Sequence, residues 1–227
     1  MQRIVVLSGA GLSAESGLGT FRDRDGLWAH HDLADVATPE GFARDPSRVH
    51  AFYDARRAAM LKARPNAAHR ALARLSGQAG TTLVTQNVDD LLDRAGARGV
   101  IHMHGELARA LCQACGHRWD APATMDPTAP CPACGTAATR PDVVWFGEIP
   151  YRVDEIEAAL ASCDLFVSVG TSGQVWPAAG FAEIARGHGA ATLELNLEAS
   201  GGAFDEVRTG PATRLVPGWV DEVLGRA

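Results

Sequence analysis

Lysine is nearly absent from this sequence, since Lys62 is the only lysine among 21 basic residues. This bias toward arginine, together with abundant alanine, indicates a GC-rich genome and carries little information on mechanism. The chain also has no excess of positive charge. The 27 acidic residues give a formal net charge of −6, which argues against a general nucleic-acid-binding protein.

Long apolar runs are also missing. No segment approaches the roughly 20 apolar residues that a membrane-spanning helix needs. Met1 to Arg3 lead directly into the apolar run 4–7, which is too short for the core of a secretory signal and is typical of a strand. We therefore expect no membrane association and a cytoplasmic location.

The rest of the composition is that of an ordinary globular protein. The 227 residues are 46% hydrophobic and 21% charged, enough chain for one large domain with a small satellite. Apolar, β-branched runs predict strands at 3–7, 81–85, 164–169 and, more weakly, 191–195. Helical patterns lie between them at about 66–76, 153–162 and 178–187. This alternation predicts an α/β fold with a parallel sheet wrapped by helices.

Two stretches interrupt this alternation. Residues 21–64 combine a loop with helices, and residues 107–142 carry two cysteine pairs among glycine, proline and threonine. We interpret both as insertions that pack together as a small domain, made of a helical module and a zinc ribbon. The large domain then comprises residues 1–20, 65–106 and 143–227.

The cysteine pairs are Cys112 with Cys115 and Cys131 with Cys134, separated by fifteen residues. Four thiolates can close a tetrahedral zinc site with no open position, so the spacing predicts one structural Zn²⁺ and not a catalytic one. Two free or oxidised pairs are the alternative. The remaining Cys163 lies among apolar residues and is interpreted as a small core residue.

A glycine-rich segment follows the first predicted strand. Residues 9–14, GAGLSA, satisfy G-x-G-x-x-G/A, in which glycines allow a tight turn and a close approach to a pyrophosphate. An ordinary strand-to-helix turn is the alternative, because no second strand ends in an acidic residue about 20 positions later. If the fold binds a dinucleotide, its cofactor loop differs from the usual one.

That loop carries a family resemblance. Residues 9–23, GAGLSAESGLGTFRD, closely resemble the signature of the sirtuins. Further blocks follow in the family's order: TQNVDDL at 85–91, HMHGE at 102–106, VVWFGE at 143–148, GTSGQVWPAAG at 170–180, ELNLE at 194–198 and GPAT at 210–213. The resemblance implies a Rossmann-like large domain with a zinc-bearing small domain. It also implies an NAD-dependent protein-lysine deacylase that consumes NAD and releases nicotinamide, free lysine and O-acyl-ADP-ribose.

Two histidines near the end of a predicted strand are candidates for catalysis. His102 and His104 alternate, so an extended segment would direct both to the same side. From the residues alone, a hydrogen-bonded structural imidazole is the more common outcome for either. The resemblance selects His104, because the family's catalytic histidine precedes Gly and Glu. An imidazole, with an unperturbed pKa of about 6.5, suits deprotonation of a ribose hydroxyl near neutral pH.

The resemblance also implies the contacts of the cofactor and of the substrate backbone. The implied cofactor-binding residues are Gly9, Ala10, Gly11, Ser13, Ala14, Phe21, Arg22, Trp28, Gln86, Asn87, Asp89, Gly170, Thr171, Ser172, Asn196, Leu197, Glu198 and Ala212. Val144, Phe146, Gly147 and Glu148 would lie along the peptide groove, where substrate adds as a strand. Asp90 is interpreted as the N-cap of the helix that follows.

A further predicted helix begins with Asp45 as N-cap and Pro46 in the first turn. An apolar stripe at helical spacing runs along it and consists of Val49, Phe52, Tyr53, Arg56, Ala59 and Met60. A guanidinium there needs an anionic or hydrogen-bonding partner. Tyr53-x-x-Arg56 resembles the pair of sirtuins that act on succinyl- and malonyl-lysine, where phenol and guanidinium bind the distal carboxylate. The alternative is a core tyrosine beside an arginine that pairs with an internal carboxylate.

Two other functions remain open at this point. One is mono-ADP-ribosyl transfer at the same NAD site, and the other is a non-catalytic NAD sensor. The expected cofactors are NAD and one structural Zn²⁺, and the expected partners are acylated lysine side chains of proteins. The oligomeric state, the protein substrates and the ratio of deacetylase to desuccinylase activity are not indicated by the sequence.

Overall fold

A computed structural model describes residues 2–19 and 32–225 of the chain. In chain order its strands are β1 (Ile4–Ser8), β2 (Thr81–Thr85), β3 (Ile101–His102), β4 (Gly105–Cys112), β5 (Arg118–Asp120), β6 (Thr139–Val143), β7 (Leu165–Val169), β8 (Ala191–Asn196) and β9 (Glu206–Thr209). Six of them form a parallel sheet in the order β3-β2-β1-β7-β8-β9. The other three form an antiparallel sheet in the order β5-β4-β6.

The four strands predicted from apolar runs are confirmed to within one residue at each end. Each is largely buried, as expected for a parallel sheet that is covered on both faces. Strand β3 was expected only as the extended segment that carries His102 and His104, and β9 was not predicted. The first has only two residues, and the second is mostly exposed, so neither carries an apolar run.

The helices are α1 (Gly11–Ala14), α2 (Leu33–Val36), α3 (Pro39–Arg44), α4 (Pro46–Lys62), α5 (Ala67–Leu75), α6 (Leu91–Arg94), α7 (Val153–Ser162), α8 (Phe181–Gly187) and α9 (Ala212–Val223). Helices α5 and α9 cover one face of the parallel sheet and α7 and α8 the other. Alternation along β1 matches this arrangement, because Val6 packs with the first pair and Val5 and Leu7 with the second.

The helices predicted at 66–76, 153–162 and 178–187 are confirmed, the last with a 3₁₀ turn at Ala178–Gly180 before α8. Helix α9 was not predicted. It contains Pro217 in its interior, a residue that normally breaks a helical pattern. Within the described part of the chain, no helix has the length and apolar character needed to cross a bilayer.

Helix α4 packs against the antiparallel sheet. Asp45 caps it by accepting a hydrogen bond from the Arg48 N–H, as predicted, and it ends at the exposed Lys62. Its apolar stripe is buried against Leu107 and Val143. The sequence did not reveal Arg57, which is 1% exposed and donates to the main-chain carbonyl of Leu107 at 2.7 Å. These contacts join segment 32–64 to the cysteine-bearing segment, while the division into two domains stays a prediction.

The order of the parallel strands creates a crevice. Strand β1 lies between β2 and β7, and the chain proceeds outward through β3 on one side and through β8 and β9 on the other. Connections after β1 and β7 therefore leave the sheet in opposite directions. Ligands of open α/β sheets bind at such a switch point, at the carboxyl ends of the strands.

Candidate active site

A cavity of about 980 Å³ occupies this crevice and extends toward α4. His104 lines it, together with all the predicted cofactor and substrate residues that the structure describes. Phe21, Arg22 and Trp28 lie outside the described residues. The lining also includes residues that the sequence interpretation missed, among them Met60, Val88, Leu107, Trp145 and Trp176. Val88, Trp145 and Trp176 lie within the family blocks but are apolar residues to which no role was assigned, so only the fold reveals that they face the cavity.

The floor of the cavity is formed by two turns in close contact. A Cβ atom on Gly11 would lie 2.7 Å from Cα of Gly170, and one on Gly9 would lie 2.9 Å from the carbonyl oxygen of Gly170. Gly170 itself has a φ of +59°, a conformation that favours glycine. Only glycines therefore allow the turns after β1 and β7 to meet. The exposed main chain of this floor suits the close approach of a dinucleotide pyrophosphate.

Ser13 lies at the centre of a buried hydrogen-bond network. Its hydroxyl donates to Asp89 Oδ2 at 2.9 Å and accepts from Asn87 Nδ2 at 3.2 Å. His69 Nε2 lies 3.2 Å from the same oxygen. Because His69 Nδ1 accepts the N–H of Asn66, Nε2 carries the proton and donates to Ser13.

This serine, histidine and carboxylate therefore do not form a nucleophilic triad. Burial lowers the pKa of His69 to about 4, so the imidazole is neutral, and its Nε2 is a donor that cannot accept the proton of Ser13. The network instead fixes the side chains of Asn87 and Asp89. The sequence interpretation missed His69, although its spacing from Asn66 fits a reciprocal cap at the start of α5.

The interpretation of Asp90 as a capping side chain was wrong. Asp90 occupies the N-cap position of α6 but makes no capping hydrogen bond, and its carboxylate pairs with Arg94. Asp89 accepts the N–H of Leu91 at 3.1 Å instead. Burial raises the pKa of Asp89, while the hydrogen bonds from Leu91 and Ser13 act in the opposite direction.

A second network joins the ends of β2, β7 and β8. Asn196 Nδ2 donates to the carbonyl of Thr171 at 2.9 Å, and Gln86 Nε2 donates to the Thr171 hydroxyl at 3.1 Å. Glu194, 1% exposed, accepts from Asn196 Nδ2 and from the N–H of Ser200. The buried carboxylate thus holds Asn196 and the following loop, which carries Leu197 and Glu198 along the cavity.

The two candidate histidines point to different places, so the expectation that they share one side was wrong. Strand β3 ends at His102, and the chain turns before His104. His102 Nε2 lies 3.0 Å from Asp93 Oδ2. Burial lowers the pKa of His102, but the hydrogen bond and charge of Asp93 outweigh it, and the net shift is upward.

His104, by contrast, lines the cavity. Its Nδ1 lies 3.1 Å from the main-chain carbonyl of Gln86. Burial lowers the pKa of His104, and the hydrogen bond to Gln86 offsets this only in part. The imidazole is therefore neutral near pH 7, as a general base must be.

Tyr53 and Arg56 lie together on α4, at the far wall of the same cavity. The Arg56 guanidinium carbon is 5.6 Å from the centre of the Tyr53 ring. Burial raises the pKa of Tyr53, opposed by the charge of Arg56 and by a hydrogen bond from Trp145. Burial lowers the pKa of Arg56, opposed by Tyr53 and by the charge of Asp89. The phenol is therefore protonated near pH 7, so both side chains can act as donors.

Residues 144–148 run along the cavity mouth. Val144 N–H donates to the carbonyl of His104 at 2.8 Å, which ties this segment to the catalytic candidate. Phe146 is 45% exposed, and Gly147 is exposed beside it. The Glu148 carboxylate is engaged by Arg140 at 2.6 and 2.9 Å, so it organises the groove through this ion pair.

Four cysteines form a cluster at the end of the antiparallel sheet. Their Sγ atoms all lie within 4.8 Å of one another, with Cys112 and Cys134 at 3.7 Å and Cys115 and Cys131 at 3.9 Å. A tetrahedron with Zn–S bonds of about 2.3 Å requires sulfur separations of about 3.8 Å. The cluster therefore fits one structural Zn²⁺.

The main chain repeats the same turn at both cysteine pairs. Gly116 N–H donates to the carbonyl of Cys112, and Gly135 N–H donates to that of Cys131, each at 2.9 Å. Both glycines have positive φ, 73° and 75°. Cys163 is 6% exposed and belongs to the core under α7, as predicted.

The sequence is similar to proteins of known class. Residues 9–177 match the Sir2 family. An NAD-dependent protein deacylase of Caulobacter vibrioides is 56% identical over 236 residues, covering 100% of this chain and 98% of that protein. An NAD-dependent protein deacylase of Salmonella typhimurium is 52% identical over 229 residues, covering 98% of this chain and 84% of that protein.

The fold is similar to solved structures of the same kind. The crystal structure of a Sir2 homologue–NAD complex superposes with a TM-score of 0.90 at 37% identity, covering 98% of this chain and 90% of that one. A Sir2 protein with a deacetylated p53 peptide and 3′-O-acetyl ADP-ribose gives 0.86 at 25% identity, covering 99% and 94%. The predicted fold class is confirmed.

Proposed function

The chain belongs to the Sir2 family, and we propose that within this family it prefers protein lysines whose acyl group ends in a carboxylate, such as succinyl or malonyl. Its relatives are NAD-dependent protein deacylases that match it along nearly the whole chain. The chain is accordingly an NAD-consuming enzyme that acts on protein lysine. Its cofactors are NAD and one structural zinc ion.

The preference rests on one observation: Tyr53 and Arg56 line the same cavity as His104. A guanidinium stays cationic in proteins and presents paired N–H donors that match a carboxylate. The protonated phenol beside it adds another donor. A carboxylate at the end of an acyl chain would accept hydrogen bonds from both groups, whereas an acetyl group offers no acceptor at that position.

When bound, NAD supplies the ribose carbon that takes up the acyl oxygen and the ribose hydroxyl that attacks next. We propose that His104 accepts the proton of that hydroxyl at Nε2. The carbonyl of Gln86 can only accept, so Nδ1 carries the proton of the neutral ring and Nε2 presents its lone pair. Val144, whose N–H is bonded to the His104 carbonyl, holds the base next to the peptide groove.

The remaining cofactor contacts are proposed on the same basis. Gly9, Gly11 and Gly170 bring the main chain close to the pyrophosphate, and the described geometry leaves no room for a Cβ where these turns meet. Asn87 and Asp89, whose side chains are fixed by Ser13, would hold the ribose and the nicotinamide amide. The assignments of Phe21, Arg22 and Trp28 stay predictions from the family resemblance.

The test is a comparison of kcat/KM on acetyl-, malonyl- and succinyl-lysine peptides of one sequence. The wild-type protein should favour the two acidic acyl groups. Arg56→Met keeps bulk but removes a charge-assisted hydrogen bond of roughly 1.5–3 kcal/mol. Desuccinylation should therefore fall about 10- to 150-fold, with a much smaller change in deacetylation.

The neighbouring Arg57 provides the matched control. Arg57→Met removes a buried guanidinium that holds β4 and Asp54, so it should lower the melting temperature and depress both activities together. If Arg56→Met behaved in this same way, the guanidinium of Arg56 would be a structural group and the acyl preference would be wrong, while the deacylase activity would stand.

Mono-ADP-ribosyl transfer is not favoured as an alternative, because the matching relatives are protein deacylases. The two reactions leave labelled ADP-ribose in different products. NAD labelled in the ADP-ribose part should yield free O-acyl-ADP-ribose, with little label retained on protein.

A further inference from the structure

Tyr53 is held by a residue from a distant part of the chain. The indole Nε1 of Trp145 lies 2.9 Å from the Tyr53 hydroxyl oxygen. Tyr53 is 1% exposed and Trp145 is 2% exposed, so water does not compete for this bond. The two residues come from α4 and from the segment that follows β6.

The direction of this hydrogen bond determines where the phenolic proton can go. An indole N–H is a donor only, so the Tyr53 oxygen is the acceptor. The hydroxyl proton of a phenol lies near the plane of the ring and has two preferred orientations. The Tyr53 oxygen accepts from Trp145 and is also in hydrogen-bond contact with Arg56. Both of these partners are donors only, so neither can take the phenolic proton, and Tyr53 remains available as a donor. A hydrogen bond received by a hydroxyl also strengthens the one that it donates.

The Trp145 indole is held in place by the ion pair between Arg140 and Glu148. The guanidinium carbon of Arg140 lies 3.3 Å from the centre of the Trp145 ring, a stacking arrangement that is favourable for both groups. Arg140 is 3% exposed and binds both oxygens of Glu148. Glu148 Oε2 in turn accepts the main-chain N–H of Trp145 at 2.8 Å. Arg140 thereby sets the orientation of the indole ring, and Glu148 sets the position of the Trp145 main chain.

We infer that Trp145 is a positioning residue for acyl specificity, which directs the Tyr53 hydroxyl to donate to the terminal carboxylate of the substrate acyl group. This inference rests on the proposed preference for acidic acyl groups. It adds a residue outside the Tyr-x-x-Arg motif and assigns Arg140 and Glu148 the task of holding its ring in place.

The test is the change Trp145→Phe, which keeps an aromatic ring for Arg140 and removes the N–H donor. The ratio of kcat/KM on succinyl- over acetyl-lysine peptide should fall on the order of 2- to 10-fold, the range for one neutral hydrogen bond, mainly through KM for the succinyl peptide. In a Tyr53→Phe background the same change should alter the ratio by less than about twofold, because the two groups act as one unit. Trp119→Phe, in the exposed strand β5, is the matched control and should keep the ratio of the wild type.

Two results would overturn the inference. One is an equal loss on both peptides in Trp145→Phe, and the other is an undiminished effect when the Tyr53 hydroxyl is already absent. If the wild type showed no acidic preference, the proposed function and this inference would fail together. If Arg56→Met removed the preference and Trp145→Phe left it intact, only the inference would fail.

A second measurement serves if Trp145→Phe does not fold. The chain has five tryptophans, and the indole N–H signal that moves in Tyr53→Phe identifies Trp145 by NMR. Saturating succinyl-lysine peptide should shift that signal in the wild type more than acetyl-lysine peptide does. Equal shifts with the two peptides would contradict the inference.

Discussion

Nδ1 of His104 and the main-chain carbonyl of Gln86 are 3.1 Å apart, which fixes the tautomer of the proposed catalytic base. The carbonyl follows β2, and the imidazole lies just beyond β3, its neighbour in the sheet. The alignment of two parallel strands therefore orients the ring. A base held in this way has one lone pair, on Nε2, and its protonation state should control the pH dependence of turnover.

The acid limb of the kcat/KM profile should lie below the usual histidine range. A general base acts when deprotonated, and burial lowers the pKa of His104, so the active form persists as the pH falls below about 6.5. Activity should then be lost as the pH falls through the lowered pKa. Steady-state rates at constant ionic strength measure this limb. A midpoint clearly above the unperturbed value would contradict the assignment.

Removal of the imidazole should abolish turnover and leave the fold intact. Loss of a general base typically costs about 10²–10⁴-fold, so we expect His104→Ala to fall by that factor in kcat, with NAD affinity and melting temperature close to the wild type. His102→Ala is the control, because His102 pairs with Asp93 outside the cavity lining, and it should retain most of the turnover. Near-normal deacylation by His104→Ala would show that another group is the base.

Loss of a zinc ligand should destabilise the antiparallel sheet. In Cys131→Ser the zinc content should become substoichiometric and the melting temperature should fall, since metal binding at a closed site contributes directly to folding. Cys163→Ser, a change in the core outside the cluster, should keep one zinc per chain. Metal analysis with thermal unfolding checks both. A metal-free protein with unchanged melting behaviour would mean that zinc has no structural role.

Stability should depend on pH through His69. Its pKa is about 4 in the folded chain and about 6.5 when unfolded, so between these values the unfolded chain binds more protons. The contribution is complete above about pH 6.5 and is lost as the pH falls toward 4, on the order of 3 kcal/mol. Denaturant unfolding at several pH values measures the slope. His69→Gln should flatten it, whereas the exposed His188→Gln should keep the wild-type slope.

Much of the fold could be predicted from local patterns. The apolar strands and the capped start of α4 follow from short segments, as does the cysteine spacing. Helix α9 and strand β9 could not, because α9 has a proline in its interior and β9 is mostly exposed and carries no apolar run. The stripe on α4 indicated Arg56, yet it missed Arg57, whose partner in β4, the carbonyl of Leu107, lies 50 positions away in the sequence.

The site residues that lie in sequence motifs were predicted, and those that depend on contacts between distant segments were missed. The order of Gly and Glu after His104 selected the imidazole that lines the cavity, although the extended geometry assumed for His102 and His104 was wrong. Trp145 lies in the block VVWFGE but had no role assigned to it, and His69 lies outside every quoted block. Their importance comes from single hydrogen bonds to Tyr53 and Ser13, which join residues 92 and 56 positions apart. The cytoplasmic location and the domain limits stay predictions.

Lys62 ends α4 on the exposed side of the chain, and as the sole lysine it offers the only side-chain amine to reactive acyl donors. An enzyme that removes acyl groups from lysines is thus almost unable to accumulate them, so its own surface competes little for its active site. Lys62 is also a suitable attachment site for a label. Six residues of helix place Lys62 about 9 Å along the axis from Arg56, so a fluorophore on this single side-chain amine would report from a defined point on the acyl-binding helix.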